Sequence, residues 1–269
     1  MHECRVPKRT RKQYFDLVRE LTLTDFKLKY EGSILGYVWS FAKPLMLFGI
    51  LYFVFTVVFR LGGSIPHYAV YLLIGVVLWI FFADATVTAM TSIVDRQELI
   101  RKVSFPRLVL VIAASATSLI TLAINLAIIA VFIAVIGVRP SPAAPLVLLL
   151  LLELYALALG CSLFLAALYV RFRDFRHIWE VVLQVLFYAS PIIYPISIIP
   201  ANLRPWALLN PLAQIFQDSR SLLVTASTLT TADTLSAPAL IVPYLVPLVA
   251  LVGGFLYFRS AAGGFAEAV

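Results

Sequence analysis

Charge is the scarcest property of this 269-residue chain. Only 13% of its residues are Asp, Glu, Lys or Arg, 62% are apolar, and the mean hydropathy is +0.96. An ordinary soluble domain is about 25% charged and about 45–50% apolar. Fourteen acids and 21 bases cannot coat a chain of this length. That excludes a soluble globular enzyme, a disordered chain and a coiled coil. Cysteine is nearly absent: Cys4 and Cys161 lie far apart, without metal-ligand spacing and too few for a disulfide framework. The three histidines, His2, His67 and His177, sit in separate connections or at span ends, so neither a Ser-His-Asp set nor a metal set is expected. No G-x-x-x-x-G-K-[ST] phosphate loop occurs. If ATP drives this protein, the ATP is hydrolysed on another chain.

Long apolar runs are abundant. A bilayer core of about 30 Å needs roughly 20 apolar residues in a helix. Six stretches qualify: residues 34–59, 67–83 (continuing past Asp84 towards Val94), 108–138, 145–170, one beginning near Ile178 and disturbed by Pro191 and Pro195, and 239–258. The polar residues 1–33 precede a first run longer than a signal-peptide core, with no small-residue cleavage pattern after it, so that run reads as a retained anchor. Bases are unevenly distributed over the connections. Seventeen fall in the segment through Lys43, the second-to-third and fourth-to-fifth connections and the C-terminus, against four (Arg60, Arg139, Arg204 and Arg220) on the other side. This bias places both termini in the cytoplasm, a result that requires an even number of spans, as the six stretches give. It also assigns the net charge of +7 to a membrane surface rather than to nucleic acid.

The expected fold is therefore all-α and integral to the membrane, with six transmembrane helices. Its parts are a cytoplasmic N-terminal segment 1–33, a membrane domain 34–258 and a cytoplasmic tail 259–269. Tyr14, Leu17, Val18, Leu21 and Leu28 recur at helical spacing with Arg11, Lys12, Arg19 and Lys27 between them, predicting an amphipathic helix in the interface. That collar reads either as a simple anchor or as a contact for a phosphorylated headgroup. In residues 196–238, Trp206, Leu208, Leu209, Ile215 and Phe216 alternate with Pro200, Pro205 and Pro211. Either re-entrant helices or an ordinary outer loop fits that pattern.

Three further features carry candidate function. Asp95 precedes Glu98 in capping-box spacing, and Leu99, Ile100 and Val103 form an apolar face among Arg101, Lys102 and Arg107, with Phe105 and Pro106 closing the piece. A capped cytoplasmic helix of this kind suits docking into a partner's groove, although a loop helix resting on headgroups would look alike. Tyr37, Phe41, Phe48, Tyr52, Phe55 and Phe59 share one face of the first span, and Phe187, Tyr188 and Tyr194 follow on the fifth. Helix packing explains such a stripe, and so does a pore wall offering flat faces to sugar rings. Asp84, Glu153 and Glu180 lie within apolar runs, where a central charge costs roughly 2.5–3.5 kcal/mol. None is assigned a catalytic role.

Lys29-Tyr30-Glu31-Gly32-Ser33-Ile34-Leu35-Gly36-Tyr37-Val38-Trp39 followed by Pro44 resembles the start of the first helix in permeases of polysaccharide ABC exporters, the ABC-2 type transporters of O-antigen, teichoic acid, capsule and mycobacterial galactan. Leu99 to Arg107 resembles that family's cytoplasmic coupling segment, Arg171-Phe172-Arg173-Asp174-Phe175 its second cytoplasmic signature, and Asn210-Pro211-Leu212 with Arg220 its outer re-entrant motif. The resemblance implies a homodimer in the bacterial inner membrane with two copies of a separate nucleotide-binding subunit, which carries the ATP and Mg. No cofactor is expected on this chain. It further implies a channel lined by the first and fifth spans, and a lipid-linked polysaccharide admitted at the N-terminal helix. Lys29, Arg171 and Arg173 would then join the basic collar near a diphosphate. Two other readings compete: export of drugs or small lipids by the same fold, and an enzyme modifying polyprenyl-phosphate sugars. The second would rest on the Arg171, Arg173 and Asp174 cluster, which lacks further acids to hold a metal.

Overall fold

The computed structural model describes residues 11–31, 36–60, 65–98 and 106–264, and among them no strand occurs. The first helix, α1, is Arg11–Tyr30. A 3-10 turn at Gly36–Val38 leads into α2, Trp39–Phe53, which continues as a π-helical turn at Val54–Val58. Then follow α3, Tyr68–Asp95, and α4, Leu108–Ile136. Next come a 3-10 turn at Ala144–Leu146, α5 at Val147–Arg171 and α6 at Phe175–Ala189. Beyond α6 lie α7, Arg204–Leu208, α8, Pro211–Leu223, α9, Thr231–Thr234, and α10, Ala237–Ala261.

Five of the expected crossings are helical segments long and apolar enough to span a bilayer: Gly36–Val58, Tyr68–Asp95, Leu108–Ile136, Ala144–Arg171 and Ala237–Ala261. The remaining run forms only the 15 residues of α6. At 1.5 Å per residue that is roughly 22 Å, short of the bilayer core. Proline explains the shortening, because Pro191 and Pro195 cannot donate to a continuing helix.

The centre of the molecule is α3. Over its most apolar window 78% of the residues are buried, against 11% and 17% for the segments of α2 and α4. Its sequence is apolar all round, as a helix enclosed by others must be. Around it stand α4 and α5, with α2 against α3 and α4, and α10 along α5. The last contact is unusually close. A side chain on Gly160 would collide with the backbone at Ala250, and one on Gly254 with the carbonyl of Gly160, so two glycines permit the backbones to touch. At Gly137, φ of 75° puts the residue after α4 in the left-handed region that glycine favours, ending the helix.

Two local expectations change. The apolar stripe of α1 is turned partly onto protein: Tyr14, Leu17, Val18 and Leu21 are half-buried, Thr22 is buried, and α1 packs against the start of α4. Leu28, two turns after Leu21 on the same face, is exposed. Asp95 is not the cap of a new helix. It is the last residue of α3, and the chain turns at Arg96 before Gln97 and Glu98 become helical, so Arg96 occupies the position before that turn. The expected apolar face of Leu99, Ile100 and Val103, with Arg101, Lys102 and Phe105, lies outside the described residues.

Candidate functional site

A cavity of about 530 Å³ opens where the end of α1 meets the first turns of α2 and the middle of α3 and α4. Its polar wall begins with Asp84. Lys29 Nζ donates to both carboxylate oxygens, at 2.9 and 2.8 Å, and Ser118 Oγ donates to Oδ2 at 2.7 Å. The intramembrane acid is thus compensated by a cation from α1 and a hydroxyl from α4. Both charged side chains remain about 30% exposed, at 32% and 29%, so the pair borders the cavity rather than lying sealed in the core.

The opposite wall is set by a proline. Pro44 lies inside α2 and has no N–H for the carbonyl of Ser40 four residues earlier. Asn125 Nδ2 supplies the missing donor to Ser40 O at 3.1 Å and also donates to Thr121 O at 2.8 Å. Trp39 and Lys43 complete the polar rim, while Val77, Ile80, Phe81 and Leu122 line the interior. Among the described residues no carboxylate pairs with Lys43. A cavity with a cationic, hydroxyl- and amide-bearing rim and an apolar floor suits an amphiphile with an anionic head.

Further along, where α3 ends, Asp25 of α1 forms an ion pair with Arg96. Arg107 Nη1 donates to the carbonyl of Ala262 at 2.8 Å, tying the start of α4 to the end of α10. Both flanks of the 95–107 segment are therefore fixed to neighbouring elements, while Glu98 is exposed.

The remaining membrane acids are resolved differently. Glu180 sits one turn after Arg176, with Oε1 3.2 Å from Nε. Glu153 Oε1 is buried and has no hydrogen-bond partner among the described residues. Near it, Asp218 accepts from Gln214 Nε2 (3.0 Å), Tyr244 OH (2.9 Å) and the N–H and hydroxyl of Thr231 (3.0 and 3.1 Å), joining α8, α9 and α10. Beyond it Thr230 caps α9. Its hydroxyl and N–H donate to Asp233 and hold that carboxyl below its ordinary range.

Against the first turn of α3, Arg220 is 0% exposed and meets no carboxylate among the described residues. Its Nε donates to Tyr71 O at 2.9 Å, Nη1 to Pro191 O at 2.5 Å and Nη2 to Ile192 O at 2.5 Å. The guanidinium also lies 3.8 Å from the centre of the Tyr71 ring. Gly75 makes room, since a Cβ there would strike Nη2. The Asn210-Pro211-Leu212 motif serves the same segment: Asn210 Oδ1 caps α8 by accepting from Leu212 N at 3.0 Å, and its Nδ2 donates to Ser190 Oγ at 3.0 Å.

The expected channel residues divide. Phe48 is buried, edge-on to Phe132 at 5.9 Å, and Tyr52 stacks on Tyr68 at 6.2 Å, so the middle of the stripe packs α2 onto α4 and α3. Tyr37 is exposed on one side and stacks on Phe26 of α1 at 5.5 Å. Phe41 and Phe55 are half-buried, Phe187 meets Trp79 at 5.6 Å, Tyr188 is exposed, and Tyr194 OH donates to Tyr188 O at 3.0 Å. Of the basic residues, Arg11 opens α1, and Lys12, Arg19 and Lys27 are exposed on it. Arg171 and Arg173 lie over the rings of Phe172 and Tyr169 at 5.4 and 5.3 Å. Sequence reasoning missed Ser118, Asn125, Asp25 and Arg96. The available signals were the unexplained Asp84 and the proline in α2, each of which demands a partner.

The sequence profile of ABC-2 type transporters matches residues 16–224. An O-antigen export system permease protein RfbA of Myxococcus xanthus is 30% identical over 259 residues, covering 96% of each chain. A permease of the same description from Klebsiella pneumoniae is 29% identical over 257 residues, covering 94% of this chain and 95% of its own.

Proposed function

Because the chain belongs to the ABC-2 type transporter family, we propose that it is the permease subunit of an O-antigen-type export system, moving a polysaccharide on a polyprenyl-diphosphate lipid from the cytoplasmic to the outer side of the inner membrane. The observation that carries this reading is the likeness to O-antigen export permeases along 94–96% of the chain, which takes in α1, the cavity elements and the outer segment alike. The cavity supports it chemically. Lys29 and Lys43 offer cations, Ser118 and Asn125 offer neutral polar groups, and the apolar floor accommodates a prenyl chain.

In this reading the permease works as a homodimer with two copies of an ABC ATPase, which binds ATP and Mg and docks at residues 95–107. Both termini face the cytoplasm. The sixth crossing is composite, formed by α6 and the ordered chain after it. Non-helical backbone survives at membrane depth only where its polar groups are satisfied, and Arg220 supplies donors to the carbonyls of Pro191 and Ile192 while Tyr68 OH serves that of Ile193 at 2.9 Å. Residues 196–238 re-enter from the outer side. The exposed apolar faces of α2 (Met46, Ile50, Phe53) and α6 (Ile178, Val181, Val185) meet the second copy or lipid, and Tyr37, Tyr52 and Tyr188 line the path between the copies.

The test is purification of the tagged chain from its native membranes in mild detergent. The expected result is co-purification of an ABC ATPase whose hydrolysis rises when lipid-linked polysaccharide is added. Absence of any nucleotide hydrolase, or an N-terminus reached by reagents from outside the intact cell, would overturn the reading.

A further inference from the structure

The structure assigns α1 a second role: it is a two-point electrostatic latch on α3 that links occupancy of the inner cavity to the cytoplasmic segment following α3. The latch rests on four side chains. On α1, Asp25 and Lys29 are one turn apart and so share a face. On α3 and the residue after it, Asp84 and Arg96 carry the matching charges. Asp25 pairs with Arg96, and Lys29 with Asp84. The sign order allows one attractive placement of α1. Displacing it so that Asp25 approaches Asp84, or Lys29 approaches Arg96, brings like charges together. Side-chain exposure of 16% for Asp25 and 22% for Arg96 marks a shielded contact, unlike the solvent-exposed Arg19–Glu20 pair on the same helix.

The two points face different tasks. Lys29–Asp84 is the polar wall of the cavity, with Ser118 holding Asp84 from behind. An anionic head entering the cavity competes with Asp84 for Lys29. Arg96 sits at the turn out of α3, where residues 97–107 begin, and its Nη1 is buried without a hydrogen-bond partner among the described residues. Force on that segment acts on Asp25 through Arg96, and one turn of α1, about 6 Å, carries it to Lys29. Outside the two points, three residues before Asp25, α1 is also held to α4 by long hydrogen bonds, Thr22 Oγ1 to Ala113 O at 3.3 Å and Thr117 Oγ1 to Thr22 O at 3.4 Å, which suit a pivot. Coupling of this kind is reciprocal: an anion that loosens the cavity end changes the segment's equilibrium, and a partner holding the segment changes affinity for the anion.

The identity of anion and partner rests on the proposed function, and the experiment separates the two. The permease–ATPase complex is placed in phosphatidylcholine nanodiscs, and hydrolysis is measured with undecaprenyl diphosphate and with undecaprenol, which lacks the diphosphate. The wild type is expected to respond to the diphosphate only. Asp25→Asn and Arg96→Gln each reduce the ratio of stimulated to unstimulated rate at least about fivefold, and the exchange Asp25→Arg with Arg96→Asp restores most of it. Equal ratios in the single variants and the wild type, or an exchange no better than either single change, overturn the latch. If the wild type itself does not respond, the proposed function is what fails. A thiol-specific spin label on the exposed face of α1, attached through the substitution Thr24→Cys in a Cys4→Ser, Cys161→Ala background of the permease alone, then decides the latch. Its mobility rises in Asp25→Asn and returns in the exchange, and unchanged mobility refutes it.

Discussion

Two cations set against α3, Arg220 and Lys29, are accommodated in opposite ways. Arg220 is sealed, with no carboxylate partner among the described residues, and directs its donors to the carbonyls of Tyr71, Pro191 and Ile192 while lying against the Tyr71 ring. Lys29 is about a third exposed, bound to one carboxylate at the edge of a cavity. A guanidinium fixes several acceptors at once, and its planar fork suits it to backbone that cannot bond to itself. An ammonium is a point charge whose partner can be exchanged. The Arg220 contact is built for rigidity and the Lys29 contact for replacement.

The largest expected effect lies at the rigid end. Arg220→Ala leaves the carbonyls of Pro191 and Ile192 without donors among the described residues and takes the second donor from the helical carbonyl of Tyr71, and each carbonyl left unserved costs about 1–3 kcal/mol. Destabilisation of roughly 4 kcal/mol in denaturant titration of the detergent-solubilised permease is expected. Arg220→Lys is not expected to rescue it, since one ammonium cannot reach all three acceptors in the same geometry. A loss below about 1 kcal/mol would show that water serves those carbonyls and would dissolve the contrast.

An intermediate effect sharpens the account of the cavity wall. Asn125→Leu removes the donor to Ser40 O, at an expected cost of about 1–2 kcal/mol. In a Pro44→Ala background the restored N–H at position 44 bonds that carbonyl instead, so the same change costs much less there. Additive effects in the double-mutant cycle would mean that the Asn125 bond does not answer the proline. The smallest effect on stability belongs to the exchangeable end. Replacing both partners, Lys29→Gln with Asp84→Asn, is expected to change the unfolding free energy by less than about 1 kcal/mol, as for partly exposed pairs. Retention of undecaprenyl diphosphate by the permease, measured on density-gradient-floated vesicles, should nevertheless fall. Unchanged retention would remove Lys29 from the cavity's chemistry.

The sequence exposed much of this arrangement. The runs at 67–94, 108–138, 145–170 and 239–258 became α3, α4, α5 and α10 with ends displaced by a few residues, because a 20-residue apolar run has few alternatives to a helix in lipid. Asn210-Pro211-Leu212 became a capped helix start for reasons local to three residues. The aromatic stripe was less legible. The stripe of the first run holds both Phe48, buried against Phe132, and Phe59, which follows the π-helical turn and is exposed, and no spacing rule distinguishes them. Asp95 was misplaced because α3 outlasts its apolar run by one residue, which takes Asp95 into the helix and leaves Arg96 at its end beside Asp25.

What the amino-acid order determined alone is the solvent of this protein, most of its helices and the two demands left open inside them, a carboxylate at Asp84 and a missing N–H at Pro44. Hydropathy and backbone bonding are properties of single segments, and they act before any two segments meet. Which side chains answer those demands was decided only by packing: Lys29 lies 55 residues from Asp84, Asn125 lies 85 from Ser40, and Arg220 lies 149 from Tyr71. Compensation for a buried polar group is a matter of a few ångströms in space, and distance along the chain carries no record of it.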